Sequence, residues 1–187
     1  MAQRATVEHP LEVTLVGLVA AGYGGVPRYA RTLARALDRV AGEFDSLDLT
    51  LLTNPAGAEA IAPQRLPVRV VDSPNAGAAR LAAEQVAAAR SKADLLHFFD
   101  LLAPLLTPRR MFTATVHDAV VAHGYAMART RRAYTRIVYP WAARRARALV
   151  AVSAFAKDEA VRHFNADAGH VHEAAFRETL QLTLNGA

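Results

Sequence analysis

The sequence predicts a doubly wound α/β domain: a parallel sheet covered by helices on both faces, with a further helix at the C-terminus. Three observations predict it. Short apolar runs bounded by Gly, Pro, Asn or Asp alternate with longer segments of helical period, as buried parallel strands joined by crossover helices do. A glycine cluster, "AAGYGGVPRY", lies between the first apolar run and the first helix, where doubly wound sheets approach their ligands. At 187 residues the chain suits one well-buried domain and is short for two of ordinary size.

The strands are expected at Glu12–Leu18, Leu47–Thr53, Val68–Val71, Asp94–Phe98, Phe112–Val116 and Ala148–Val152. The helices are expected at Pro27–Ala41, Ala76–Ser91, Ala126–Ala146 and Ala154–Phe164. Pro27 suits a first helical position, and Gly42 suits the residue past the end. Tyr29, Leu33, Ala36, Leu37 and Val40 then form one apolar face. Ser153 is a natural N-cap, with Asp158 and Glu159 placed toward that helix's positive end. The stretches "NPAGAEAIAPQRLP" and "DSPNAGA" read as surface connections. In "ARTRRAYTRIVYPWAARRAR", Tyr134, Ile137, Val138 and Trp141 share a helical face, Arg129, Arg132 and Arg136 lie opposite, and Pro140 should kink the helix.

Composition narrows the function classes. Apolar residues make up 52% and charged residues 21%, an ordinary globular balance. There is no cysteine, which excludes a disulfide framework, a cysteine nucleophile and a cysteine metal site, and fits a cytoplasmic protein. The opening "MAQRATVEHPLEV" carries no secretion signal, and the run Val13–Val26 is broken by glycines and shorter than the ~20 residues of a spanning helix. Twenty of the 22 basic residues are arginines, and the formal charge is +5. That excess suits phosphorylated ligands or an anionic membrane. No nucleic-acid recognition motif accompanies it, so no nucleic-acid partner is expected.

Three motifs sit at predicted strand ends. The glycine loop has Pro27 where the dinucleotide fingerprint needs its last glycine, and Asn54 where that fingerprint needs an acid for the ribose. A Rossmann dehydrogenase is therefore disfavoured. The helix start behind Gly24 and Gly25 can still offer N–H groups and a positive dipole to an anion, or it can be a tight turn without a ligand. "FTATVHDAV" ends its strand in His117 and Asp118, a hydrogen-bonding pair at the ligand edge or an Asx turn with a backbone-satisfied histidine. "DLLHFFD" brings His97 and Asp100 to the same edge, but no H-x-x-x-H or carboxylate-rich set accompanies them, so no metal is expected.

Taken in order, "GYGGVPRYARTLARAL", "DLLHFFD", "FTATVHD" and "ALVAVSAFAKDEAVRHF" cover Leu11 to about Val171. They resemble the N-terminal, acceptor-side domain of the retaining, two-domain (GT-B) nucleotide-sugar glycosyltransferases of glycosyltransferase group 1, family 4. The resemblance implies that Gly24 and Gly25 lie by the donor diphosphate, and that His117 with Asp118 stands at the catalytic junction. It sets His97 and Arg28 on the acceptor or cleft side, and Ser153 and Lys157 in the architecture. It implies a nucleotide-sugar donor, a hydroxyl acceptor, and neither metal nor other cofactor. It further implies a second Rossmann-like domain that this stretch does not contain, so the chain alone is expected to be an inactive fragment.

The expected division is a Rossmann-like domain over 1–171 and an amphipathic helix over 172–187, with Phe176, Leu180 and Leu184 on one stripe. That helix is similar to the terminal helix of full-length members. It suggests an N-terminal half joined near Val171–His172 to its own last helix, by engineering or natural deletion; a divergent C-terminal helix is the alternative. A competing function is a stand-alone binding or scaffold domain that meets an anionic membrane or a protein partner through the basic helix. Peripheral contact at the inner membrane face, and self-association through an uncovered apolar patch, go with these readings.

Overall fold

In the computed structural model the described residues are 9–43, 46–102, 105, 107, 111–118 and 129–173. Apolar runs become strands β1 (Leu11–Val16), β2 (Leu47–Thr53), β3 (Val68–Val70), β4 (Leu95–Phe98), β5 (Phe112–Val116), β6 (Ala148–Ala151) and β7 (Val171–Glu173). The helices are α1 (Gly25–Val40), α2 (Pro55–Ile61), α3 (Gly77–Ala89), α4 (Arg129–Arg145) and α5 (Ala154–Phe164). All strand pairs are parallel, in the order β3-β2-β1-β4-β5-β6-β7. The chain reverses its direction of growth at the β1–β4 pair, where Val13–Val16 lie against Leu95–Phe98. The doubly wound parallel sheet is thus the fold.

Alternation along each strand builds two cores. Val13 and Leu15 of β1, with Leu95 and Phe99, pack against Leu33, Ala34 and Leu37 of α1 and Ile61 of α2. On the reverse face Phe98, Phe112, Ala114 and Leu149 pack against α3, α4 and α5 through Ala88, Val138, Ala142, Ala160 and Phe164. The central strands β4 and β5 are buried along their whole length, as expected of parallel strands covered on both faces.

Helix α1 also ties down its neighbours by hydrogen bonds. Arg31 donates to the carbonyls of Ala20 and Gly22 at 2.7 and 3.0 Å, and Arg35 Nε donates to Ile61 O at 3.1 Å. Asp38, buried, accepts from the amides of Gln64, Arg65 and Leu66 at 2.8–3.0 Å. Burial alone would raise the Asp38 carboxyl. The amides of Leu66, Gln64 and Arg65, with the Arg65 guanidinium, outweigh it and hold the group below the ordinary carboxylate value.

Some expectations change. The supposed loop "NPAGAEAIAPQRLP" contains α2, because Asn54 Oδ1 caps the Gly57 amide at 2.9 Å and Pro55 sets the first turn. Ile137 of α4 is 65% exposed rather than inward; the buried line is Thr135, Val138, Tyr139 and Ala142. Pro140 does not interrupt α4. Ser153 Oγ caps the Ala156 amide at 3.1 Å as expected, but α5 has no acid in its first turn. Glu159 is instead buried, 3.5 Å from His163. Of the helix expected over 172–187, His172 and Glu173 belong instead to strand β7, which pairs with β6, and the rest, with Phe176, Leu180 and Leu184, falls outside the described residues, as does the segment before Arg129.

Two buried titratable groups give opposite pH dependences. Burial pushes the His97 imidazole down to about 4, so it is neutral in the fold. In the unfolded chain it takes a proton from 6.5 downward, so its contribution is lost as pH falls from 6.5 toward 4. Burial pushes the Glu84 carboxyl up to about 7, against the pull of Arg80, whose Nη1 lies 2.6 Å away. Its contribution is lost as pH rises from 4.5 toward 7. Urea unfolding should therefore give a nearly flat stability between pH 4.5 and 6.5. Glu84→Gln should expose a stability rising with pH, by at most about 1.4 kcal/mol per pH unit; His97→Gln should expose the opposite slope. A flat profile in Glu84→Gln would show that His97 is not held neutral. Independently, Asp38→Ala leaves three amides without their acceptor and should cost about 3 kcal/mol in the same measurement.

Candidate functional site

The parallel sheet brings the ends of all its strands to one edge, and the sequence motifs gather there. After β1, Gly17 is fixed by crowding: a Cβ would come within 3.1 Å of Leu51 and 3.2 Å of Phe99, and Thr53 Oγ1 donates to its carbonyl at 3.1 Å. A 3₁₀ turn over Leu18–Ala21 follows, with Leu18 and Ala20 buried and Arg31 holding its far end. The loop then reaches the surface at Tyr23, which is fully exposed.

Gly24 has φ +104° and opens α1 with no side chain capping the helix. That backbone conformation requires glycine at 24. At Gly25 a Cβ would meet nothing within 4 Å, so nothing inside the protein calls for a glycine. The first-turn amides face outward, Pro27 contributes no N–H, and the positive end of a 16-residue helix stands behind them. Arg28 is exposed on the same turn.

His117 follows β5. Its strand alternates, so Phe112, Ala114 and Val116 enter the core under α3–α5 while Thr113, Thr115 and His117 fall on the α1 side. His117 Nε2 donates to the Phe99 carbonyl at 2.9 Å, and the ring meets Tyr29 edge to face with centroids 4.8 Å apart. Tyr29 is one helical turn beyond Gly25, about 6 Å along the axis. This contact joins the glycine loop and His117 in one corner, beside the β1–β4 switch. Asp118 is exposed next to His117.

His97 is placed differently from its expected position on the acceptor or cleft side. It belongs to β4 itself, paired with Leu15 and Thr113, and is 1% exposed. Its Nδ1 lies 2.8 Å from Thr113 Oγ1 and its Nε2 3.5 Å from Thr115 Oγ1. The residue lies behind the edge because β4 runs on to Phe98. Asp100 leaves on the other side, where Tyr139 Oη approaches it at 3.5 Å. Asn54 is buried and fully used: Oδ1 accepts from Gly57, and Nδ2 donates to Asn75 Oδ1 at 3.0 Å. It offers nothing to a ribose.

Sequence reasoning missed Tyr29, Thr115 and the Phe99 carbonyl as parts of this corner. The Thr-x-Thr-x-His alternation was visible in the sequence, but its pairing with Tyr29 exists only once α1 is laid on the sheet. Among the described residues no group of three or more His, Cys, Asp or Glu is arranged to hold a metal. Nor is any helix among them long and apolar enough to cross a membrane.

Comparison with known proteins bears on most of the chain. A solved glycosyltransferase from Rickettsia africae ESF-5 is similar over 89% of this chain, with 15% identity and a TM-score of 0.44. The chain spans 42% of that protein's length. Among curated proteins no match is found. The family model described as Glycosyltransferase Family 4 matches residues 23–173, from the tip of the glycine loop to the last strand. The corner formed by that loop and His117 therefore lies in a chain that belongs to glycosyltransferase family 4.

Proposed function

We propose that this chain is the acceptor-side half of a retaining GT-B glycosyltransferase, which moves a sugar from a nucleoside diphosphate to a hydroxyl. The observation that carries the proposal is the Tyr29–His117 contact, which sets a hydrogen-bonding imidazole beside the uncapped start of α1. In the proposed reaction the acceptor oxygen replaces the diphosphate oxygen at the anomeric carbon, its proton passes to the departing diphosphate, and that diphosphate is stabilised by the first-turn amides of α1. His117 contacts the sugar, with Asp118 beside it. Arg28, exposed on the same turn, adds a positive charge near the phosphates. Neither metal nor other cofactor is invoked, and a second Rossmann-like domain supplies the rest of the nucleotide site.

Gly25→Asp separates this reading from a simple turn. An aspartate there meets no steric obstacle and sits favourably at a helix start, so the variant should fold with undiminished stability. It should nonetheless weaken binding of UDP or GDP by about tenfold or more, a loss of roughly 1.4 kcal/mol. Calorimetry and the amide spectra of Gly24 and Gly25 read the two effects separately. Unchanged binding in the variant, or ligand shifts far from Gly24 and Gly25, would sink the proposal. By itself the 187-residue chain should transfer no sugar, since donor positioning supplies much of the barrier reduction. Turnover of a nucleotide sugar by it would overturn the half-site view, and a product of inverted configuration from a domain-completed enzyme would overturn retention.

A further inference from the structure

We infer that Tyr29 is a positioning residue for His117: it fixes the imidazole as the tautomer with hydrogen on Nε2, so that Nδ1 meets the ligand as a hydrogen-bond acceptor. The inference deepens the proposed function and rests on it for the nature of the ligand, a sugar bearing free hydroxyls.

The tautomer follows from the partner. A carbonyl oxygen only accepts, so the ring nitrogen 2.9 Å from Phe99 O must carry the hydrogen. In the neutral ring Nδ1 then keeps its lone pair, and no described residue donates to it. One hydrogen bond does not by itself stop the imidazole from turning over about Cβ–Cγ, which would carry Nε2 away from the Phe99 carbonyl and leave the tautomer unfixed. Tyr29 supplies the second restraint: its ring stands at 83° to the imidazole with centroids 4.8 Å apart, a favourable edge-to-face contact across the path of the turn.

Tyr29 is itself held. Its hydroxyl lies 3.3 Å from Thr115 Oγ1, on β5 and two residues before His117. Thr115 Oγ1 is 3.5 Å from His97 Nε2, and His97 Nδ1 is 2.8 Å from Thr113 Oγ1. The buried histidine that the reaction does not touch thus has a use. It is the inner end of a polar ladder running from the core of the sheet to its edge.

The consequence is specificity. An acceptor nitrogen welcomes a hydroxyl, which can donate. It has no hydrogen for an ionised carboxylate or phosphate at that position, and it loses its bond to a deoxy analogue.

The test is spectroscopic and uses no ligand. In the chain labelled with ¹⁵N-histidine, long-range ¹H–¹⁵N correlations are recorded well above the ordinary imidazole range, where the rings are neutral. His117 is assigned by its absence in His117→Gln. The expected result is a single tautomer with hydrogen on Nε2, which Tyr29→Leu converts to a mixture while amide resonances of the α3–α5 core stay in place. Hydrogen on Nδ1 in the wild type, or an unchanged single tautomer in Tyr29→Leu, overturns the inference. If Tyr29→Leu does not fold, the near-isosteric Tyr29→Phe and Thr115→Val replace it. Both remove the Tyr29–Thr115 hydrogen bond, so both should admit the second tautomer, and no change in either is equally fatal. Failure of UDP or GDP to contact Gly24 and Gly25 in the domain-completed enzyme would sink the proposed function and leave the tautomer result standing, so the two failures are distinguishable.

Discussion

Arg31, Arg35 and Asp38 recur at i, i+4 and i+7 on α1, and each ends on backbone of a neighbouring segment. That stripe is the constraint on which the rest of the α1 side depends. A doubly wound sheet leaves its connecting loops with carbonyls and amides that no strand satisfies. Here the loop after β1, the end of α2 and the turn before β3 all find their partners on one helix. The cost of burying Asp38 is met by three amides, and the negative charge is more useful to them than a neutral acceptor would be. Because α1 is tied along its length, its N-terminus is fixed in space, and so is Tyr29 one turn in.

The site inherits its precision from that fixation. Gly24 and Gly25 stand exposed after a 3₁₀ turn that Arg31 clamps from the same helix. His117 is set from three directions: by its place after β5, by the Phe99 carbonyl after β4, and by Tyr29 of α1. Three separate connections therefore converge on one imidazole at the point where the strand order reverses. This is the geometry expected of a ligand crevice in an open α/β sheet.

Much of the fold was legible because a sheet buried on both faces writes long apolar runs, and β2, β5 and α5 begin and end where periodicity and capping residues put them. The misses have physical causes. α2 is a seven-residue helix with no apolar stripe, and its existence rests on the Asn54 cap and Pro55, which also signal a loop. Ile137 was placed inside by a helical wheel centred one position away from the true buried line, which includes the polar Thr135. His97 looked like an edge residue because it stands one residue before the strand end at Phe98, and the sequence does not show which neighbours enclose its side chain. Pairing with Thr113 decides it, and pairing is not a local property. The glycine loop and His117 were legible as candidates; what joins them was not.

The two histidines show how one sheet edge can divide labour between identical side chains. His97 sits two residues before Phe99 and is sealed, neutral and hydrogen-bonded on both nitrogens by threonines. His117 sits two residues beyond Thr115 and keeps one nitrogen for the outside. Thr115 faces both, so the same hydroxyl that satisfies the buried ring also anchors the tyrosine that orients the exposed one. Replacing that threonine by an apolar residue of equal size would leave the packing nearly intact and cut the ladder at its middle. Orientation at the edge is therefore maintained by polar groups in the interior. This gives a physical reason for a chain with so apolar a sheet to carry a buried histidine between two threonines, where leucine or valine would cost nothing to desolvate.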